Sequence, residues 1–187
     1  EKLAIYRQAV LKKAFEGESD KIKLKVNEIG KIITGNTPSK KDDKNYSTND
    51  FNFYKPTDLN TGSNVNKANY YVSKKGYAIS RKAPEDSILV TCVGATIGKT
   101  GLIKEKGCFN QQINAIVPYD KFNSKYIYYQ AISLNFQKQI KENASSTTLP
   151  ILNKGKFKNL TMNFCNSKEQ QQIVHEIEYI NSRFVMP

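Results

Sequence analysis

Hydrophobic positions along this chain change their spacing several times, and each spacing predicts a different element. Leu3, Tyr6, Val10 and Ala14 recur at three- and four-residue steps among good helix formers, which predicts a helix over residues 1–16 that Gly17 ends. Lys12 and Lys13 fall near its C-terminus, where cations complement the helix dipole. Ile22, Leu24 and Val26, then Ile29, Ile32 and Ile33, read as strand, turn, strand over 22–34. The polar run from Gly35 to Lys44 is a turn, with Thr37-Pro38 imposing extended backbone. Residues 45–83 scatter Tyr46, Phe51, Phe53, Tyr54, Tyr70, Tyr71 and Tyr77 among Asn, Thr, Ser and Lys. They predict short strands at 51–55, 69–72 and 77–80 joined by polar loops.

From Ser87 the pattern changes again. Ile88, Leu89, Val90 and Val93 carry no helical period and read as a buried strand that breaks into a turn punctuated by Gly94 and Gly98; Gly101-Leu102-Ile103 reads as the returning strand. Cys108 to Pro118 reads as one strand buried on both faces. Ser124 is placed to cap a helix over 124–143, Ala144 to Thr148 is a hydroxyl-rich loop, and Asn159 to Phe164 is a final strand. Ser167 and Gln170 have capping-box spacing, with Glu169 in the first turn of a helix that runs to about Arg183. Ile173, Ile177, Ile180 and Phe184 step as a heptad seam, too short to be stable by itself. The expected fold class is α+β: a mostly β domain with a few helices, plus N- and C-terminal helices that pack as an antiparallel coiled-coil-like pair or against another chain.

At 187 residues the chain holds one sizeable domain with at most an appendage. Its 29 Lys and Arg against 17 Asp and Glu, a formal +12, point to a polyanionic partner, nucleic acid or an acidic membrane face. The 11 Tyr and 9 Phe, mixed among polar residues, suit stacking on nucleic acid and turn the choice toward it. Cys92, Cys108 and Cys165 are odd in number and widely spaced, and His175 is the single histidine; the cysteines read as reduced thiols of a cytoplasmic protein, not as a disulfide framework or zinc site. No run is apolar enough to span a bilayer, and no signal peptide is visible. A start at Glu1 already in helix suggests an excised or processed piece of something longer.

Candidate chemistry is sparse. GKT at Gly98-Lys99-Thr100 ends a strand as a phosphate-binding loop does. That signature, however, needs a glycine where Val93 stands, and a helix where a strand is predicted. Asp42-x-Lys44 has the spacing of a nuclease metal motif but lies in a polar turn, and His175 has no partner constellation. There is neither an Asn-Pro-Pro-aromatic motif for adenine methylation nor a glycine-rich cofactor fingerprint after the first strand.

Seven segments in order, YRQAVLKKAFEGE, GNTPS, FYKPTDL, VTCVGATIGKTGLI, FNQQINAIVP, SSTTLPILNKGKFKNLTMNF and SKEQQQIV, resemble the specificity subunit of type I restriction-modification enzymes. One departure is that Asn163, Phe164, Cys165 and Asn166 stand where that family has prolines before its EQ motif. The resemblance implies residues 1–17 as the end of a spacer helix, 18–166 as a target recognition domain and 167–187 as the start of the next spacer helix. It also implies half of a two-domain subunit, or a shortened form. Such a module has no catalytic activity and no cofactor. It binds double-stranded DNA and directs modification (methyltransferase) and restriction subunits to their site; a second half or a homodimer through the terminal helices is a further expected partner. The alternatives are the recognition region of a fused type II restriction-methyltransferase, or an NTP-binding protein using the GATIGKT turn.

Bases are read by side chains that reach their edges, whereas phosphate contacts position the module. Lys40, Lys41, Lys55, Lys67, Lys74, Lys75, Arg81 and Lys82 are the expected phosphate contacts, with Lys99 facing DNA rather than nucleotide. Asn60, Asn64, Asn66, Arg81, Ser145, Ser146 and Thr147 are the expected base readers.

Overall fold

The fold is described from a computed structural model covering residues 2–16, 21–145 and 148–184. In chain order the elements are α1 (Lys2–Glu16), β1 (Ile22–Lys25), the single-turn α2 (Val26–Ile29), β2 (Gly30–Thr34), β3 (Phe51–Tyr54), β4 (Tyr71–Val72), α3 (Lys74–Ile79), β5 (Lys82–Ala83), β6 (Ile88–Thr91), β7 (Thr100–Leu102), β8 (Gly107–Phe109), β9 (Ile113–Pro118), α4 (Ser124–Ala131), α5 (Leu134–Asn143), α6 (Lys154–Asn159), β10 (Thr161–Phe164) and α7 (Ser167–Phe184). Short 3-10 turns occupy Asp43–Asn45 and Pro56–Thr61. The fold is mixed α+β, as the sequence pattern predicts.

The central sheet runs β2-β9-β6-β7, antiparallel throughout, with Ile32 opposite Ile116 and Ile116 opposite Ile88. Strand β6 shows why its residues carry no alternation. Ile88 and Val90 enter a core shared with Leu11, Tyr126, Ile140 and Phe157 of the helices, while Leu89 enters a second core with Tyr54, Leu59 and Phe109. A sheet covered on both faces needs apolar residues at every position, each worth about 1.5–3 kcal/mol when fully buried. The cover on the second face is another sheet, β4-β3-β8-β5, in which β3 and β8 run parallel. Its outer face carries a small core of Phe53, Val72 and Cys108, where the rings of Phe51 and Tyr77 stack 3.9 Å apart.

The β1–β10 pair forms a separate two-stranded sheet beneath α4 and α5. Its open edge is closed by side chains: the Gln130 amide bonds both backbone groups of Asn163, and the Gln139 amide bonds both of Thr161. Without the family's prolines, Asn163 donates from Nδ2 to the Phe15 carbonyl, and Asn166 caps α7 by accepting from Glu169 N–H. Helices α1 and α7 run antiparallel over α4: Phe15 meets Tyr126 edge-on at 5.2 Å and Glu169 lies near the same ring, while Arg7 and Asn181 both act on Tyr129. Leu11 and Phe15 are the most buried residues of α1; Val10, Ala14 and Ile173 are partly buried against the same core and, with Tyr6, Ile177 and Ile180, line a groove of about 530 Å³ between the two helices. Gly17 and the side chains of Leu3 and Phe184 lie outside the described residues.

Several boundaries differ from the sequence expectation, and local hydrogen bonds explain each. Residues 77–79 belong to α3, with Ser80 as its C-cap, and not to a strand, because Ser73 Oγ accepts from Gly76 N–H and starts a helix there. The run 108–118 is two strands in different sheets, parted by a turn at Asn110, whose Oδ1 accepts from Gln112 N–H. The expected helix 124–143 is two: Asn123, not Ser124, caps α4, and Ser133 caps α5. Asn153 starts α6, which the pattern leaves unmarked. At α7 the cap is Asn166 rather than Ser167, and Gln170 is buried, donating to the Cys165 carbonyl.

Candidate nucleic-acid interface

Several turns meet at the end of the central sheet where β6 leaves and β7 returns. Turn 91–99 closes on itself: Thr91 N–H donates to the Lys99 carbonyl and Gly98 N–H to the Thr91 carbonyl, both at 2.8 Å. Gly94 and Gly98 sit at φ +99° and +89°, backbone that L side chains avoid. This turn then holds its neighbours. Cys92 N–H donates to the Gln112 carbonyl at 2.7 Å, Leu152 N–H to the Cys92 carbonyl at 2.8 Å, and Gly94 N–H to the Pro150 carbonyl at 3.0 Å. Gly35 N–H and Asn36 N–H donate to the Ile113 and Phe109 carbonyls, and Asn110 N–H to the Tyr54 carbonyl. Backbone far apart in sequence is thus cross-bonded into one rigid loop surface. Gln137 buttresses it from α5, donating to the Gly98 carbonyl at 2.9 Å.

On this surface Thr37 Oγ1 donates to Gln111 Oε1 at 2.6 Å, which orients an exposed amide whose NH2 has no partner among the described residues. Asn110 and Gln112 bond each other, and Gln112 Nε2 donates to the Val93 carbonyl. Lys40 and Lys41 follow in the Thr37 loop and are exposed. Lys55 Nζ lies 3.0 Å from the centre of the Tyr70 ring; burial first, then the charge of Lys40, hold its ammonium below the ordinary lysine range. Lys99 is half-buried in the glycine turn, and Ser145 Oγ accepts from Ile151 N–H. Ser146 and Thr147 lie outside the described residues.

The remaining candidates are spread more widely. Lys74 and Lys75 open α3, and Lys75 pairs with Asp42 at 2.5 Å. That bond is the first cause of the lowered Asp42 pKa. Asp42 also accepts from Lys44 N–H, so the Asp42-x-Lys44 pair caps a 3-10 turn. Lys82 donates to the Ala78 and Ser80 carbonyls, while Arg81 Nη1 reaches the Thr34 carbonyl of β2 at 2.9 Å. Asn60, Asn64, Asn66 and Lys67 are exposed, but their loop is bonded to β7 at Leu102, through Val65 N–H and the Gly62 carbonyl. That is the opposite edge of the sheet from β2, and the end of β7 away from Lys99. The structure therefore places Lys40 near Lys55, sets Arg81 beside β2 at Thr34, and ties residues 60–67 to β7.

Thr37, Asn110, Gln111 and Gln112 are residues that the sequence pattern leaves unmarked. One signal points to them: adjacent glutamines cannot both be satisfied inside a strand buried on both faces. Lys99 is followed directly by β7, which begins at Thr100, so this turn does not open a helix as a phosphate-binding loop does. Among the described residues no His, Cys, Asp and Glu cluster is placed to hold a metal ion, and no helix is long and apolar enough to cross a membrane.

Fold and site together define a mixed α+β domain with a rigid, amide-bearing and cationic loop surface at one end of its central sheet, bracketed by antiparallel terminal helices. The chain belongs to the type I restriction modification DNA specificity domain family, whose model matches residues 18–184. It is 29% identical over 169 residues to the type I restriction enzyme MjaIX specificity subunit of Methanocaldococcus jannaschii, covering 84% of this chain and 37% of that one. Its fold matches a chain from a study of complex assembly and conformational transition in the type I R-M system, with TM-score 0.77, 18% identity, and 97% and 45% coverage. It also matches the HsdS subunit from Thermoanaerobacter tengcongensis, with TM-score 0.73, 16% identity, and 97% and 44% coverage. The chain thus spans less than half the length of these proteins.

Proposed function

We propose that this chain is the non-catalytic recognition module of a type I specificity subunit. In this reading residues 18–166 bind a duplex through the sheet-end loops, and α1 and α7 are the spacer segments that present the module to methyltransferase and restriction subunits. The observation that carries it is the Thr37–Gln111 pair on the cross-bonded turns, with Lys40 three residues further along the Thr37 loop and near Lys55. A glutamine amide held by its oxygen keeps a second lone pair and both N–H donors, the set that pairs with adenine N6 and N7. Lysines next to it supply sequence-independent attraction to phosphate.

The test is selection from a randomised duplex pool by the full chain with its cognate methyltransferase subunit. A defined consensus is expected. Gln111→Ala should relax the preference at one base pair by about 5- to 150-fold, the range that corresponds to 1–3 kcal/mol. No consensus for the parent would refute the module, and a consensus unchanged by Gln111→Ala would remove Gln111 from the readout.

A further inference from the structure

Four cations converge on the β2 edge of the central sheet, each brought by a different route. Lys31 is exposed on β2 itself, Arg81 stands just ahead of β5, and Lys154 and Lys158 come from α6. Burial, followed by the charges of Lys158, Arg81 and Lys31, lowers the Lys154 pKa, so the four share one field. Arg81 is pinned twice, by its Nη1 bond to the Thr34 carbonyl and by its backbone N–H bond to Asn36 Oδ1 at 2.6 Å. The rest of its planar donor fork has no partner among the described residues. The ion pairs found there belong to Lys75, Lys104, Lys125 and Lys138; none of the four cations has one. Lys31, Thr34, Arg81, Lys82 and Lys154 border an open depression of about 620 Å³. Like charges held together without a counter-ion repel, and a bound anion would relieve that repulsion.

Resting on the recognition reading above, we infer that Lys31, Arg81, Lys154 and Lys158 form a phosphate anchor that fixes the duplex along the β2 edge, beside the loops that read it. The anchor adjoins the reader directly. Thr34, which receives Arg81, lies three residues before Thr37, which orients Gln111. Three residues of chain span at most about 10 Å, or roughly three base pairs along one strand. The opposite edge differs: Lys104 is neutralised by Asp86 at 3.0 Å, and Gly62 packs near Tyr128 on the helical side. The duplex therefore lies toward β2.

Salt titration of duplex affinity tests this, using the full chain with its methyltransferase subunit and fluorescence anisotropy from about 50 to 200 mM salt. The triple variant Lys31→Gln/Arg81→Gln/Lys154→Gln should flatten the slope of log affinity against log salt by about 2–3 units, at about 0.9 for each phosphate no longer neutralised. Its consensus should stay the same. Lys106→Gln/Lys141→Gln/Lys168→Gln should keep the parent slope, and Lys31→Arg/Lys154→Arg should keep it too, because charge rather than shape is at work. A parent slope in the triple variant overturns the anchor while leaving the recognition module standing. If that variant also ceases to bind the methyltransferase subunit, the cluster docks an acidic protein face instead of DNA. A parent without sequence preference sinks the recognition reading and the anchor with it.

Discussion

Replacing Gln130 should weaken this fold more than its polar character suggests. Strand β10 has one partner strand, β1, so its other edge would present bare backbone groups inside the protein. Gln130, 4% exposed, acts there as a substitute strand: its Nε2 donates to the Asn163 carbonyl at 2.7 Å, and its Oε1 accepts from Asn163 N–H at 2.8 Å. The two groups would not suffer equally. The Asn163 carbonyl keeps the Tyr126 hydroxyl at 3.0 Å, so that lost bond costs about 0.5–1.5 kcal/mol. Asn163 N–H would be left with no acceptor, at about 1–3 kcal/mol. The expected loss for Gln130→Leu, which keeps the bulk, is therefore about 1.5–4.5 kcal/mol. That corresponds to a Tm lower by about 3–18 °C at this chain length. Urea denaturation monitored by circular dichroism should show the loss as a lower midpoint with an unchanged m-value. A Gln130→Leu protein within about 0.5 kcal/mol of the parent would refute the substitute-strand account, since an orphaned buried N–H cannot be that cheap. Because Asn163 also ties β10 to the Phe15 carbonyl at the end of α1, the damage should fall on the terminal helices and spare the loops at the end of the central sheet.

Two further outcomes follow from the titratable groups. Burial pushes the Cys92 and Cys108 thiols up to about 12 and 11, and also raises half-buried Cys165, so Ellman's reagent near neutral pH should find at most one slowly reacting thiol in the native protein and three after unfolding. Two rapidly reacting native thiols would contradict that packing. Asp42 and Asp50 are both lowered, by the Lys75 bond and the Thr48 hydroxyl respectively, so their contribution to stability is present above the unfolded value near 3.8 and is lost as pH falls through the folded values. Asp42→Asn/Asp50→Asn should thus be less stable than the parent at neutral pH and converge with it in acid. A gap that widens on acidification would show the sign to be wrong.

What was legible in the chain follows from where each element's hydrogen bonds are made. Helices α1 and α7 and strand β6 reveal themselves because their ladders or their burial are set by neighbouring residues. The glycine turn at Gly94 and Gly98 is equally visible, because its backbone angles demand that residue type. Strands β8 and β9 were not separable, since what divides them is a single Asn110 side chain folding onto Gln112. The candidate site was the least legible part. Gln111 is exposed only because Cys92, Phe109 and Ile113 bond to turns remote in sequence, and Arg81 joins Lys31 and Lys154 only because β2, β5 and α6 meet at one sheet edge. Composition could say that cations were in excess, but it could not say which of two opposite edges they crowd. That crowding, with no ion pair to any of the four cations among the described residues, is what the proposed reading rests on: under it the duplex should approach from β2, bringing its phosphates to Arg81 as a base edge reaches Gln111.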